Sequence, residues 1–588
     1  MIDVKMVKAK IDGYPVEVPL GTTILDAARS VQVKIPVLCK HPDLRATAAC
    51  GLCIVKVKNS TKFPRACCTA LENNMDITTR DPELVEVRKT TIEMILSKHP
   101  NECFTCGRNG TCELQTLAAE YAVRAMPLQS LVPDLPKDDS TRAVVLEPRK
   151  CISCGRCVQV CQEEQNVWAL SFLDRGFDTR ISPAGEIKLA ESPCVRCGQC
   201  AAHCPTGAIF EYDQTDKVWA KLKDPTWHCV VQIAPAVRVA IGEPFGLPPG
   251  ANLTGQLYNA LRRIGFNGVF DTNFGADVTI MEEGSEFIER LSRKDSVLPL
   301  ITSCCPSWVD YMEKMHPDMI PNFSTAKSPQ EMLGVLTKTY YARKKSVDPA
   351  KVFSVSVMPC TAKKFEANRT KDMHASGYQD VDCVLTTREM ARMIKQAGID
   401  FTSLPKDLPD HILGDYSGAG TIFGVTGGVM EAALRTAYKL VTRTELDDDA
   451  LEFDNVRGME GVRVAKVTMA GKTLRLAVAH GLKNVDTVID KIREAREKGE
   501  EPPYHLVEVM ACSGGCIGGG GQPYGTTPGL RAARAAGLYA DDRSQARRKS
   551  HQNPFIQKLY DEFLGGPLSH TSHELLHTTY TPRPVYQR

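Results

Sequence analysis

The sequence lacks the features that would send a protein through a membrane or onto a nucleic acid. Lys+Arg 72 stand against Asp+Glu 70, a net charge of +2, so no field of one sign attracts a polyanion. No run approaches the roughly 18 apolar residues of a membrane span. The opening residues, MIDVKMVKAKIDGYPVEVPL, hold no apolar leader core, no small-residue cleavage site and no twin arginine. A strand-linked G-x-G-x-x-G is missing, so the chain has no dinucleotide-binding signature. The expectation is a soluble, cytoplasmic protein with no nucleic-acid partner and no membrane span. Its 588 residues suffice for roughly three to five domains of about 100–200 residues each. The 43% hydrophobic and 24% charged content is ordinary for globular protein.

What the chain has in excess is cysteine, with 23 residues. A disulfide framework suits short exported chains, so in a long chain without a leader metal binding is the better account. Over residues 1–80, β-rich runs (DVKMVKAKID, YPVEVPL, CIVKVKN) flank a helical stretch, TILDAARSV, capped by Thr22 or Thr23. Cys39, the C-x2-C pair Cys50 and Cys53, and Cys67 fall in this region and approximate a plant-type 2Fe-2S arrangement. A four-thiolate zinc ribbon competes, but the interval from Cys39 to Cys50 is long and Gly51 supplies a flexible loop beside the metal. Cys68 leaves the fourth ligand ambiguous by one residue.

A predicted helix, PELVEVRKTTIEMILSKH, leads into His99, Cys103, Cys106 and Cys112. Zinc and a 4Fe-4S cluster would both accept this H-x3-C-x2-C-x5-C set; its place between two iron–sulfur patterns favours iron. CISCGRCVQVC and CVRCGQCAAHCP then repeat C-x2-C-x2-C-x3-C, the pattern of two-cluster ferredoxins, in which the fourth cysteine of each run serves the other cluster. Cys151, Cys154, Cys157 and Cys204 would hold one 4Fe-4S centre, and Cys194, Cys197, Cys200 and Cys161 the other. Beyond WHCVVQIAPAVRVAIG, read as a β-rich run, the chain turns α/β, with further strands expected in KVFSVSVMPC and HLVEVMAC. Cys305, Cys360, Cys512 and Cys516 each follow or end an apolar run, and four thiolates gathered at loop ends would make one more cluster site.

The strings TSCCPSW, MPCTAKKFEA and EVMACSGGC, with DTNFGADVTIMEE upstream and FGVTGGVMEAALR between, resemble the signature segments of the FeFe hydrogenases. The resemblance covers most of the chain. It implies a multidomain α+β and α/β fold: a β-grasp 2Fe-2S domain over 1–80 and a 4Fe-4S domain with one His and three Cys ligands over 81–140. A two-cluster ferredoxin-like domain over 141–215, a two-lobed α/β H-cluster domain over 225–535 and a C-terminal extension over 536–588 complete it. It further implies one 2Fe-2S cluster, three accessory 4Fe-4S clusters and an H-cluster, a cubane joined to a two-iron subsite carrying CO, cyanide and an amine-bearing dithiolate. Cys305, Cys360 and Cys512 would ligate the cubane, Cys516 would bridge to the subsite, and Lys363 would hydrogen-bond a cyanide. Pro235, Gln330 and Met358 would line the cavity. Cys304 becomes a free thiol that relays protons, followed by Glu283, Ser324 and Glu286, with Arg290 near the exit. On spacing alone, Glu283 and Glu286 read as a solvated helix face.

Two departures from the family pattern stand at Ser513 and Ala236, and Cys68, Cys229 and Cys383 have no role. A peripheral subunit of respiratory complex I would lack the last three cysteine segments, and the hydrogenase-like scaffold of cytosolic iron–sulfur assembly fits poorly with an intact Cys304. No obvious sensor domain is present. RNGTCELQTLA and SHELLHTTYTPR look like the catalytic subunit of multimeric, NAD(P)-linked or electron-bifurcating hydrogenases. The partners implied are H2 and protons, flavin- and NAD(P)-binding iron–sulfur subunits or ferredoxin, and maturation enzymes. Anaerobically matured protein should contain about twenty irons per chain, and about two fewer without the maturation enzymes. Metal analysis that finds zinc at the first two sites would contradict the cluster reading there.

Overall fold

Alternation in Met6–Ile11 buries Val7, Ala9 and Ile11 on one face, as a half-covered strand requires. This strand pairs antiparallel with Tyr14–Pro19 and parallel with Asp76–Thr78, whose other neighbour is Lys56–Val57. The helix Ile24–Ser30 closes the sheet; of the two candidate caps, Thr23 accepts a hydrogen bond from the Asp26 amide. The strand expected in CIVKVKN shrinks to Lys56–Val57, because the residues before it are drawn into the cysteine loop. The computed structural model describes residues 5–586 apart from 126–127, 294, 448–449 and 470.

The helix Pro82–Ser97 starts where Asp81 accepts from the Leu84 amide and proline occupies the first turn. Two antiparallel pairs follow, Val144–Leu146 with Ile209–Glu211 and Ser171–Leu173 with Arg180–Ser182. In each cysteine run a glycine with positive φ, Gly155 (79°) and Gly198 (72°), turns the chain from the cysteine loop into a short helix. Only glycine adopts that conformation without strain.

The largest region is built on two four-stranded sheets. In the first, Gly268–Asp271, His228–Ile233, Val352–Met358 and Cys383–Thr386 run parallel in that order. In the second, Leu300–Ile301, Leu506–Met510 and Lys472–His480 run parallel, and Val462–Met469 closes the edge antiparallel. Every residue of Val352–Met358 and Leu506–Met510 is buried, as in parallel strands covered on both faces. The helix Thr272–Ser292 lies between the sheets. Its Ala276, Ile280 and Phe287 join the core of the second sheet, while Phe274 and Val278 pack with Val230 and Phe270 of the first.

Two sequence readings need correction. WHCVVQIAPAVRVAIG is not one β-run: the strand stops at Ile233, and Pro235 opens the helix Pro235–Arg238, because proline cannot donate to a ladder but fits a first helical turn. A boundary at 535/536 falls inside the helix Pro528–Ser544, which Thr527 caps and Pro528 starts.

Three elements meet at a buried ion pair. Arg238 donates to both Asp271 oxygens at 2.7 and 2.8 Å and to Asp541 at 3.1 Å. Asp271 also accepts from the Asn273 amide at the start of the long helix and from the Tyr258 hydroxyl. Removing one partner of such a pair strands the other charge. Asp271→Ala should therefore cost about 3–5 kcal/mol, read as a lower unfolding midpoint of the two-sheet region; an unchanged midpoint would show that the pair does not hold these elements together.

Candidate functional site

Five strands from the two sheets end at one cavity. Ala234 and Pro235 follow His228–Ile233, Thr272 follows Gly268–Asp271, and Pro359 and Cys360 follow Val352–Met358. From the second sheet, Cys304 and Cys305 come just after Leu300–Ile301, and Ala511 and Cys512 follow Leu506–Met510. The crevice beyond the carboxyl ends of parallel strands is where α/β folds place ligands. The cavity has a volume of ≈ 80 Å³. Cys516 completes the set from the glycine loop, where a Cβ on Gly515 (φ 93°) would come within 2.7 Å of the Thr426 amide nitrogen.

The structure thus gathers Cys305, Cys360, Cys512 and Cys516 in one place with Pro235, Gln330, Met358 and Lys363. The Cys305 sulfur accepts from the Ala511 amide at 3.4 Å and the Cys512 sulfur from Gln199 Nε2 at 3.1 Å. Burial pushes all four thiols above their usual range, so four thiolates here need a cation among them. An iron cluster supplies one, and the donor set fits. Lys363 Nζ is held 2.7 Å from Glu366 and 3.2 Å from the Cys304 carbonyl oxygen, which keeps an ammonium at the cavity wall.

The adjacent cysteines part company. Both line the cavity, but Cys305 packs against the core that holds Trp308 and Val195, whereas Cys304 packs against the core that holds Ala276 and Ile280 of the long helix. On that helix lie Glu283 and Glu286, both buried, so the solvated face that their spacing suggests is not what forms. Glu283 is close enough to Cys304 for its charge to bear on the thiol, and the Ser324 side chain lies near it. The Ser324 hydroxyl donates to Glu286 at 2.9 Å, and Arg290 donates to Glu286 at 2.7 Å. Burial pushes Glu283 from the ordinary 4.5 up to about 8, with the Glu286 carboxylate adding to the rise.

The accessory cysteines also assemble. The Cys39 thiol neighbours those of Cys50 and Cys67, and the Cys67 thiol that of Cys53, while Cys68 is exposed and points its thiol at the Arg65 carbonyl. His99, Cys103, Cys106 and Cys112 surround one small cavity. His99 Nδ1 is buried there with no hydrogen-bond partner among the described residues, as a nitrogen reserved for a metal would be. The two ferredoxin runs cross over: Cys204 is a neighbour of Cys151, Cys154 and Cys157, and Cys161 of Cys194, Cys197 and Cys200. Cys229 and Cys383 are buried in the first sheet's core, the ordinary place for an unreactive thiol.

Several residues at the site escape sequence reasoning. Gln199 carries the ferredoxin-like region to the Cys512 sulfur and also donates to the Gly518 carbonyl at 2.9 Å. A Cβ on Gly520 would overlap the Cys197 carbonyl, and Thr361 donates to the Arg196 carbonyl at 2.7 Å. Arg531, packed against Gly514 and Gly518, makes a bidentate pair with Asp43 at 2.7 and 2.8 Å. Nothing local in the sequence marks these partners, which are hundreds of residues apart. At the departures, the Ala236 carbonyl accepts from Gln522 at 2.8 Å, and next to Ser513 the Gly514 amide donates to His480 Nδ1 at 3.2 Å.

Comparison with known proteins bears on the whole chain. The family described as iron only hydrogenase large subunit, C-terminal domain, matches residues 227–520, and that of the iron hydrogenase small subunit matches 528–583. A 2Fe-2S iron-sulfur cluster binding domain matches 4–82, the NADH-ubiquinone oxidoreductase-G iron-sulfur binding region 88–127, and a 4Fe-4S dicluster domain 150–208. NADP-reducing hydrogenase subunit HndD of Solidesulfovibrio fructosivorans is 45% identical, with 98% of this chain and 99% of that one covered. Iron hydrogenase 1 of Clostridium pasteurianum is 40% identical over 97% and 99%. The solved structure of a variant of apo [FeFe]-hydrogenase HydA1 from Chlamydomonas reinhardtii aligns with TM-score 0.56 and 44% identity over 63% of this chain and 99% of that one.

Glu283 gives the site a pH signature. A carboxyl that ionises near 8 folded and near 4.5 unfolded keeps its proton in the folded chain after the unfolded chain has lost it. Its contribution to stability therefore falls as pH rises from about 4.5 to about 8 and is level above that. Glu283→Gln should flatten this part of the stability–pH curve and remove an infrared band of a protonated carboxyl that titrates near pH 8. A variant with an unaltered curve and band would place the raised carboxyl elsewhere.

Proposed function

Because this chain belongs to the iron-only hydrogenases, enzymes that interconvert dihydrogen with protons and electrons, we propose that its cysteines and buried carboxyls form two separate conduits that meet at one cavity. The protein is a hydrogenase with 2Fe-2S, 4Fe-4S and H-cluster domains. The observation that carries the residue-level reading is the convergence of Cys305, Cys360, Cys512 and Cys516 at the strand ends, with Cys304 on the wall of the same cavity beside Glu283 of the long helix. Those four hold the H-cluster, which when bound supplies the centre where the H–H bond is made or broken.

The rest is the work of the chain. Cys39, Cys50, Cys53 and Cys67 hold the 2Fe-2S cluster; the choice of Cys67 over Cys68 rests on burial beside Cys53. His99 with Cys103, Cys106 and Cys112, and the two crossed sets of four cysteines, hold three 4Fe-4S clusters. Gln199 and the close approach of Gly198 to Gly520 keep the last cysteine set of this series in direct contact with the Cys512 loop, and electron transfer needs such a short gap. Lys363, anchored by Glu366, presents positive charge to anionic ligands in the cavity. Pro235, Gln330 and Met358 keep the remaining walls free of water.

Protons take the opposite side. Cys304 exchanges a proton with Glu283, and the Ser324 hydroxyl passes it between Glu283 and Glu286. Each group both donates and accepts, as a relay must. Glu283 suits the task because it holds a proton at neutral pH and can release it without a large cost. Arg290 fixes the Glu286 carboxylate at the outer end. The 45% identity to a chain named as a subunit of an NADP-reducing hydrogenase supports placement in a multi-subunit assembly. A flavin-containing, NAD(P)-binding chain should then copurify with it.

Cys304 and Cys305 should fail differently when replaced. Cys305→Ser removes a thiolate from the cubane site and should abolish or alter the H-cluster spectrum. Cys304→Ala should leave that spectrum recognisable yet lower turnover by roughly 100-fold to 10,000-fold, the range for positioned acid–base groups. Cys304→Asp should retain more activity than Cys304→Ser, because a carboxyl titrates within reach of neutral pH and an alcohol does not. Near-normal hydrogen evolution by a fully assembled Cys304→Ala enzyme would falsify the relay.

A further inference from the structure

The proton path as drawn ends on a group that cannot finish the journey. Arg290 is permanently charged and has no acceptor, so it cannot pick up and release protons near neutral pH. Its guanidinium is also committed to Glu286 at 2.7 Å and to the carbonyls of Phe323 at 2.7 Å and Pro321 at 3.1 Å. Glu286 itself is buried, with one oxygen taken by Arg290 and the other by Ser324 and the Thr325 amide. Something else must exchange protons with bulk water.

An open cleft of ≈ 580 Å³ lies where Glu286 meets the surface. Its titratable and charged walls are Glu286, Glu289, Arg290, Arg293 and Asp295, from the long helix and the turn after it, and His573 from the C-terminal helix His570–Leu576. Glu289 is paired with Arg293. Among these groups only the imidazole is of the side-chain type suited to exchanging protons near neutral pH. His573 is exposed, and its ring lies tilted against that of buried His577, with 4.3 Å between ring centres. His577 is fixed on both nitrogens: Nε2 faces Glu282 at 3.2 Å and Nδ1 the Thr325 hydroxyl at 2.8 Å. Across its own helix turn, His573 has Glu574 beside it, and Glu574 is turned toward His570 at 3.6 Å.

We infer that His573 is the surface proton-exchange group of this enzyme, loading and unloading the relay at Glu286 through water in the cleft. The inference rests on the relay reading above and adds its missing outer end. In hydrogen evolution an imidazolium N–H breaks, cleft water carries the proton, an O–H forms on the Glu286 carboxylate, and buffer acid reprotonates the ring. Hydrogen oxidation runs the same exchange backwards. No electrons move in this step. His577 is a positioning residue, holding the His573 ring over the cleft.

The test uses the matured holoenzyme and its His573→Ala variant, with hydrogen evolution measured in dilute and in concentrated buffer and with added imidazole. In dilute buffer the variant should turn over about ten-fold or more slowly, less than the loss expected for a group at the reacting atoms because water partly substitutes. Imidazole should restore it, and the infrared bands of the H-cluster should be unchanged. Normal turnover of the variant in dilute buffer, or a defect that imidazole does not mend, would overturn the inference. Glu286→Gln separates the two readings: it should be slow with or without imidazole, and if it is not, the relay itself is wrong whatever His573 does.

Discussion

A sulfur that holds iron must be ionised and buried at once, and an apolar interior opposes that combination. The architecture follows from this constraint. Thiolates are offered at the ends of parallel strands and in glycine-containing loops, where backbone amides and Gln199 can turn N–H groups toward them. The cavity needs rigid walls on every side, because each thiolate contributes one corner. Two sheets with the long helix Thr272–Ser292 between them provide those walls, and buried pairs such as Arg238 with Asp271 fix the helix start against the first sheet.

The same helix explains how two kinds of traffic stay apart. Its face toward the second sheet carries Glu283 and Glu286, and Cys304 lies against that face. The ferredoxin-like loop reaches the cavity from the other side, through Thr361 and the Cys512 loop. On the proposed roles, protons and electrons would approach along separate walls.

Legibility in the sequence followed distance along the chain. The accessory sites could be proposed from sequence because each candidate ligand set sits within one or two short runs, and the two ferredoxin-like runs carry glycine at the turn into the helix. Cys305, Cys360, Cys512 and Cys516 are spread over 212 positions in the numbering; their places at the ends of apolar runs suggest one cluster site, and only resemblance to a family gives each a role in it. Glu283 and Glu286 look like a solvated pair because spacing reports which residues share a helix face, not what covers it. Here the C-terminal segment covers it: the Tyr580 hydroxyl donates to the Ser324 carbonyl at 2.8 Å. Gln199, Asp43, Arg531 and His573 gain their roles only from tertiary contact. The missed break at Pro235 was local and readable, a proline in mid-run that should have ended the strand.

The keyed contact between Gly520 and the Cys197 loop makes the accessory regions part of the catalytic wall instead of beads on a string. HydA1, whose alignment covers only 63% of this chain but 99% of its own, shows that the family also builds shorter chains. Cut this protein back to its two-sheet region and the Cys512 sulfur loses the Gln199 amide, Arg531 loses Asp43, and the glycine loop faces water. That window would open on the side proposed for electron entry. A mobile carrier could then dock where the fixed one had been, so a single loss would turn an internally wired enzyme into one fed by collision.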